Sequence, residues 1–193
     1  MTFRAGAISP LLAMAIALAA SDVASAKSAR PARATDVLAS LKIGQWIRLE
    51  GDVQRDHSVA CAELKLLAGD FVDNDWELIG RIDRIDTNRG ALTIANVPIR
   101  LAEDAEFEGH DEGVDPLTVL RAGMVVEVGG TWTRDGFLAE EVDATPEDAR
   151  DTSGHRLGMT ARVERIDLAR HRVYAMGLAF VISDGTQVKS LLR

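Results

Sequence analysis

The chain has 193 residues, a formal net charge of −8 and only 5% aromatic residues. Nucleic-acid binding needs a basic groove with aromatic stacking platforms, so this composition excludes it. The one cysteine, Cys61, cannot form an internal disulfide and reads as a small buried apolar residue, because a redox or metal role would need a second thiol or a nearby histidine.

The N-terminus reads as an export signal. Arg4 supplies a short positive region, residues 11–20 are almost purely apolar, and Ala24-Ser25-Ala26 is the small-x-small pattern of a cleavage site, which places cleavage after Ala26. The apolar stretch falls short of the roughly 20 residues that span a bilayer, and Ser9-Pro10 interrupts its front, so a permanent anchor is not expected. Cys61 lies far from the cleavage site, which removes the lipoprotein arrangement. After removal of residues 1–26 the chain is expected to be soluble, periplasmic or secreted, with no membrane insertion.

Beyond a flexible linker at residues 27–35, the chain repeats itself. Residues 36–64 run parallel to 115–142 at a spacing of about 79: Leu38 with Leu117, Leu41 with Leu120, Gly44 with Gly123, Ile47 with Val126, Gly51 with Gly130, and Arg55-Asp56 with Arg134-Asp135. Residues 76–107 run parallel to 157–188 at a spacing of about 81, where RIDRID at 81–86 answers RVERID at 162–167 and Val97, Ile99 and Leu101 answer Leu178, Phe180 and Ile182. The order is second half, first half, second half, first half. That gives a half-repeat at 36–75 (helical turn plus hairpin), one complete unit at 76–143, a linker at 144–156 and a half-repeat of three strands at 157–193.

Within the complete unit, apolar residues alternate with the period of a strand that buries one face. Residues 78–85 carry a mixed pattern that suggests a long, bent first strand. Leu92 and Ile94 mark a second strand; Val97, Ile99 and Leu101 mark a third after a tight reversal around Asn96. Asp115-Pro116, Leu117, Leu120 and Gly123 describe one or two helical turns, with Asp at the N-cap and Pro at the first position. Asp36, Leu38, Leu41 and Gly44 occupy the matching positions in the first half-repeat. Met124, Val126 and Val128 form a fourth strand, and Asp135-Gly136 is expected to supply the positive φ angles of a two-residue loop into a fifth.

Three strands, a short helix and two strands are the connectivity of an oligonucleotide/oligosaccharide-binding (OB) barrel. The fold class is therefore all-β, built of OB-like five-stranded barrel units with short helical turns. Either the outer half-repeats complement one another as a second, circularly permuted barrel, or each extends the central sheet. Gly80-Arg81-Ile82, the apolar hairpin of residues 92–101, Leu120-Arg121-Ala122-Gly123-Met124 and Val126-Glu127-Val128-Gly129-Gly130 together resemble a widespread group of bacterial exported domains of unknown function. The resemblance implies a β-barrel in the envelope and brings no catalytic residues with it.

Three classes of function are weighed on the residues. Asp70, Asp73 and Asp75, with Asn74, gather oxygen ligands of the kind calcium takes, but the spacing and closing Glu of an EF-hand are absent, so a solvated acidic turn explains them as well. Glu106, Glu108, His110, Asp111 and Glu112 lack the second His of a zinc signature. His57, His110, His155 and His171 all fall in turns or connectors, and no nucleophile motif or phosphate loop occurs, so no catalytic residue and no cofactor is assigned; a hydrolytic enzyme stands only as a further alternative. Trp46, with Arg48 and Glu50 beside it, marks a candidate partner surface if the indole faces outward, whereas an inward indole would cover a seam between barrels. The duplicated strands carry their indoles at different sites, since Trp46 aligns with Val125 and Trp132 with Val53. The sequence thus reads as an exported envelope binding or structural module, non-catalytic, whose partner is a protein, a glycan or a small molecule.

Overall fold

A computed structural model describes residues 33–68, 76–108, 116–144 and 155–190. The complete unit forms β3 (Trp76–Asp86), β4 (Ala91–Ile94), β5 (Val97–Glu108), α2 (Pro116–Val119), β6 (Val125–Thr133) and β7 (Gly136–Asp143). β4 pairs with both β3 and β5, β5 runs parallel to β7, β7 pairs with β6, and β6 returns to β3. The circuit closes into a five-stranded barrel with OB connectivity. Its interior is filled by the alternate residues that the sequence marks as apolar, among them Ile82, Ile94, Ile99, Val126, Val128 and Phe137, all essentially buried. β3 is long and bent as expected, with a bulge between Ile82 and Arg84.

The outer half-repeats find each other. The N-terminal half supplies α1 (Ala34–Leu38), β1 (Trp46–Val53) and β2 (Val59–Leu66); the C-terminal half supplies β8 (Arg156–Arg162), β9 (Arg165–Asp167), β10 (Arg172–Ala175), β11 (Leu178–Val181) and β12 (Gln187–Ser190). β8 pairs with β1, β1 with β2, β2 with β11 and β12, β11 with β10, and β10 with β9. Covalent continuity of β8 into β9 completes the ring. At that joint Val163 exchanges backbone hydrogen bonds with Gly44 and Gln45, while Glu164 turns to Tyr174. Ile82 does the same with Gly123 and Met124 in the first barrel. The second barrel is therefore the first one circularly permuted.

The two barrels are joined edge to edge. β3 pairs antiparallel with β8 through Glu77↔Thr160, Leu78↔Met159 and Ile79↔Gly158. Leu78 and Met159 are equivalent positions of the repeat, so this contact is a two-fold one inside a single chain. Their buried side chains belong to one continuous apolar core.

Three local details differ from expectation. α1 begins at Ala34, with Arg33 at the N-cap and Asp36 inside the first turn, where it faces the positive end of the helix rather than capping it. The β6–β7 loop is Arg134-Asp135, and positive φ is needed only at the following Gly136 (φ 116). The third strand of the second barrel is split into β11 and β12 by a turn at 183–186, where β5 has only a bulge between Leu101 and Glu106. Thr186 fills that break: its buried hydroxyl donates to Cys61 O at 2.8 Å and accepts from Ser183 N.

Candidate functional site

Two-fold packing brings the β1–β2 hairpin of the second barrel beside the β4–β5 turn of the first, and β6 of the first beside the β10–β11 turn of the second. Between them lies a groove of about 580 Å³, lined by Asp56, His57 and Ser58, by Asn96, Val97 and Pro98, by Trp132, by Arg172 and by the stretch from Met176 to Ala179. This is the size range of small-molecule sites.

The hairpin tip is built by its own hydrogen bonds. Gln54 N–H donates to Ser58 O and His57 N–H to Gln54 O, which forces His57 to φ 65. The ladder register sets Gly136 against Ser58, so the β1–β2 loop is one residue longer than the β6–β7 loop and His57 is the added residue, held in a conformation that a glycine adopts without a Cβ penalty. Ser58 donates twice to Asp56 Oδ1, from its hydroxyl at 2.7 Å and its N–H at 3.1 Å. Those two bonds, with a smaller pull from Arg172, hold the Asp56 carboxyl below the usual aspartate range. The groove thus carries one fixed anion and one guanidinium.

Asn96 bridges the barrels: its side-chain nitrogen lies 2.6 Å from His57 Nδ1 and donates to that nitrogen when it is unprotonated. Asn96 sits at φ 65 and Met176 at φ 47, in equivalent tight turns. Each turn is held by an acid from the bulge of the first strand, Asp83 to Asn96 N at 3.2 Å and Glu164 to Gly177 N at 3.0 Å. Trp132 is half-buried, and its indole lies over Gly177, where a Cβ would come within 4.0 Å of Cζ2. Among the described residues the Trp132 indole nitrogen has no protein hydrogen-bond partner.

The structure puts the sequence candidates elsewhere. Trp46 is 7% exposed. Its ring lies 5.1 Å from that of Trp76 at 59°, with the Arg162 guanidinium 4.9 Å from its centroid. The outward-facing indole is thereby corrected, because Trp46 packs where the two barrels meet. Arg48 and Glu50 stay half-exposed, 3.7 Å apart, and Glu50 also pairs with Arg156 at 3.0 Å. Asp70, Asp73 and Asp75 lie outside the described residues, as do His110, Asp111 and Glu112; Glu106 and Glu108 lie on β5. Among the described residues no group of three or more His, Cys, Asp or Glu could hold a metal ion, and no helix is long and apolar enough to cross a membrane. Cys61 is buried, donates to Glu63 O at 3.2 Å, and burial pushes its thiol up to about 12, so it is not a thiolate nucleophile at neutral pH.

The continuous barrel is also where the chain meets a known family. Residues 79–143 match the model of DUF5666, a domain of unknown function. The match starts within β3 and ends on the last residue of β7, so the DUF5666 unit is the unpermuted barrel. No curated protein and no solved structure matches the chain.

Sequence reading missed His57 and Arg172 as site residues, and noted Trp132 only as a mismatch in the repeat. The signal was there. Aligned across the duplication, Trp132 stands where the other repeat has Val53 and Arg172 where it has Ala91, while His57 is the one residue added in the longer hairpin loop. All three departures line one groove.

Proposed function

We propose that the protein is a non-catalytic binding module of the bacterial envelope, exported through the signal at residues 1–26, whose ligand lies in the groove between the barrels. The convergence of Trp132, His57 and Arg172 on that groove carries the reading. Trp132 and Arg172 replace smaller residues that the same fold accommodates in the other repeat, and His57, added in the longer hairpin loop, holds a backbone conformation that costs a non-glycine residue roughly 1–2 kcal/mol. Strain kept at a concave surface is the pattern of a binding site.

The chemistry favours a small, uncharged, polar ligand with one flat apolar face. The indole offers a face for stacking and an N–H that no described residue occupies. Asp56 and Arg172 offset each other's charge, so a strongly charged ligand gains little, while both supply oriented hydrogen bonds. Calorimetric titration of neutral saccharides and other uncharged metabolites into wild type, Trp132→Ala and Arg172→Ala tests this. A ligand of the wild type should lose about tenfold or more in affinity in each variant. Ligands that bind all three alike would overturn the groove reading. Export is tested separately, by mass spectrometry of the envelope fraction, where the N-terminus should be Lys27.

A further inference from the structure

The second barrel is closed by two segments whose covalent connection runs through the whole DUF5666 unit. Its seams are the β1–β8 ladder, Trp46↔Arg162 to Asp52↔Arg156, and the parallel pairing of β2 with β11 and β12. Specific contacts cross those seams: Arg156 to Glu50 at 3.0 Å, Lys189 to Glu63 at 2.6 Å, and Thr186 to Cys61 O at 2.8 Å. None of them depends on both partners belonging to one chain.

The open halves cannot persist. Ile47, Leu49 and Leu64 on one side and Leu157, Met159 and Phe180 on the other are all buried in the core of the assembled barrel. In the DUF5666 unit, β3–β4, β4–β5 and β6–β7 are adjacent in sequence, whereas β1 and β8 are about 110 residues apart. Local pairing forms first. The C-terminal half then has the β3 edge to dock on, through Leu78↔Met159, which leaves the N-terminal half as the last piece to arrive.

We infer that this last step also occurs between molecules: the N-terminal half of one copy completes the C-terminal half of a second copy, and the partner is another copy of this chain. Reciprocal exchange closes a dimer, and one-way exchange adds copies head to tail. The inference does not depend on the groove having a ligand.

Complementary charge reversal tests it on the full chain. One variant carries Glu50→Arg and Glu63→Lys, the other Arg156→Glu and Lys189→Glu. Alone, each places like charges across both seams; together, a reciprocal dimer restores every pair. The two are unfolded, mixed at about 100 µM, within the range where intermolecular pairing competes, refolded, and weighed by native mass spectrometry. Mixed dimers in excess of either self-dimer, with a melting temperature above that of each variant alone, are expected. A mixture that stays monomeric, each chain melting at its unmixed temperature, overturns the inference. Should the variants not fold, wild type refolded at about 1 µM and at about 100 µM decides it. Native-like dimers only at the higher concentration support exchange, and monomer at both refutes it.

Discussion

The DUF5666 unit and the permuted barrel are built from the same devices in different chain order. In each, an acid at the first-strand bulge holds the second turn. Each also has a glycine at the bulge of the last hairpin, Gly51 or Gly130, where a Cβ would sit 2.2 Å from a carbonyl oxygen of the facing strand. What differs is continuity. The β3–β6 ladder closes a loop of roughly 50 residues and the β1–β8 ladder one of about 110. Such a doubling costs only about 0.6 kcal/mol in loop entropy. Closure of this barrel is thus set by register and core, with the route of the chain a small correction.

The strongest way to break that equivalence is to hollow one barrel at a time. Phe137→Ala in the first and Phe180→Ala in the second should each cost about 3–5 kcal/mol, since both side chains are fully buried. Because β3 pairs with β8 and the core is continuous, each variant should melt in one transition. Two separate transitions by calorimetry would show the barrels to be independent. The equivalent glycines offer a matched pair: Gly51→Ala and Gly130→Ala should each destabilise by about 1–3 kcal/mol, because the clash is with backbone that cannot step aside. A large cost in one and none in the other would mean the permuted hairpin is not built like its counterpart.

Groove residues sharpen the comparison where the repeats diverge. His57→Gly removes the Cβ from the positive-φ position of the longer hairpin loop and should raise stability by about 1 kcal/mol in urea unfolding while weakening whatever the groove binds. The smallest effect is on pH dependence. The hydrogen bonds from Ser58 hold the folded Asp56 carboxyl below the usual aspartate range, so its contribution is present above the unfolded value and is lost as the pH falls through the folded one. Comparing wild type with Asp56→Asn across acid pH should show a stability difference that disappears at the acid end.

The barrels were legible because a closed sheet buries alternate residues, and Leu92, Ile94, Val97 and Ile99 carry that rhythm openly. The tight turn at Asn96 was legible too. The start of α1 was not, since Ala34 and Arg33 carry no side-chain cap signal. Nor was β12, because the break that creates it depends on Thr186 reaching Cys61, far away in sequence. The groove stayed hidden for the same reason: its walls come from four separate hairpins and strands, and only their assembly makes them neighbours. Trp46 could be read either way, since Arg48 and Glu50 beside it suit an exposed strand face, and only β3 bringing Trp76 against it shows the indole at the seam between the barrels.

The claim on which the rest depends is that residues near the two ends of the chain pair to close a second barrel. Interproton contacts between Leu49 and Met159 and between Val59 and Phe180, measured by NMR on the folded chain, test it most directly. They should appear alongside the Leu78 to Met159 contact that joins the barrels. A spectrum with the Leu78 to Met159 contact but neither of the others would mean that the halves merely extend the central sheet, contradicting the account.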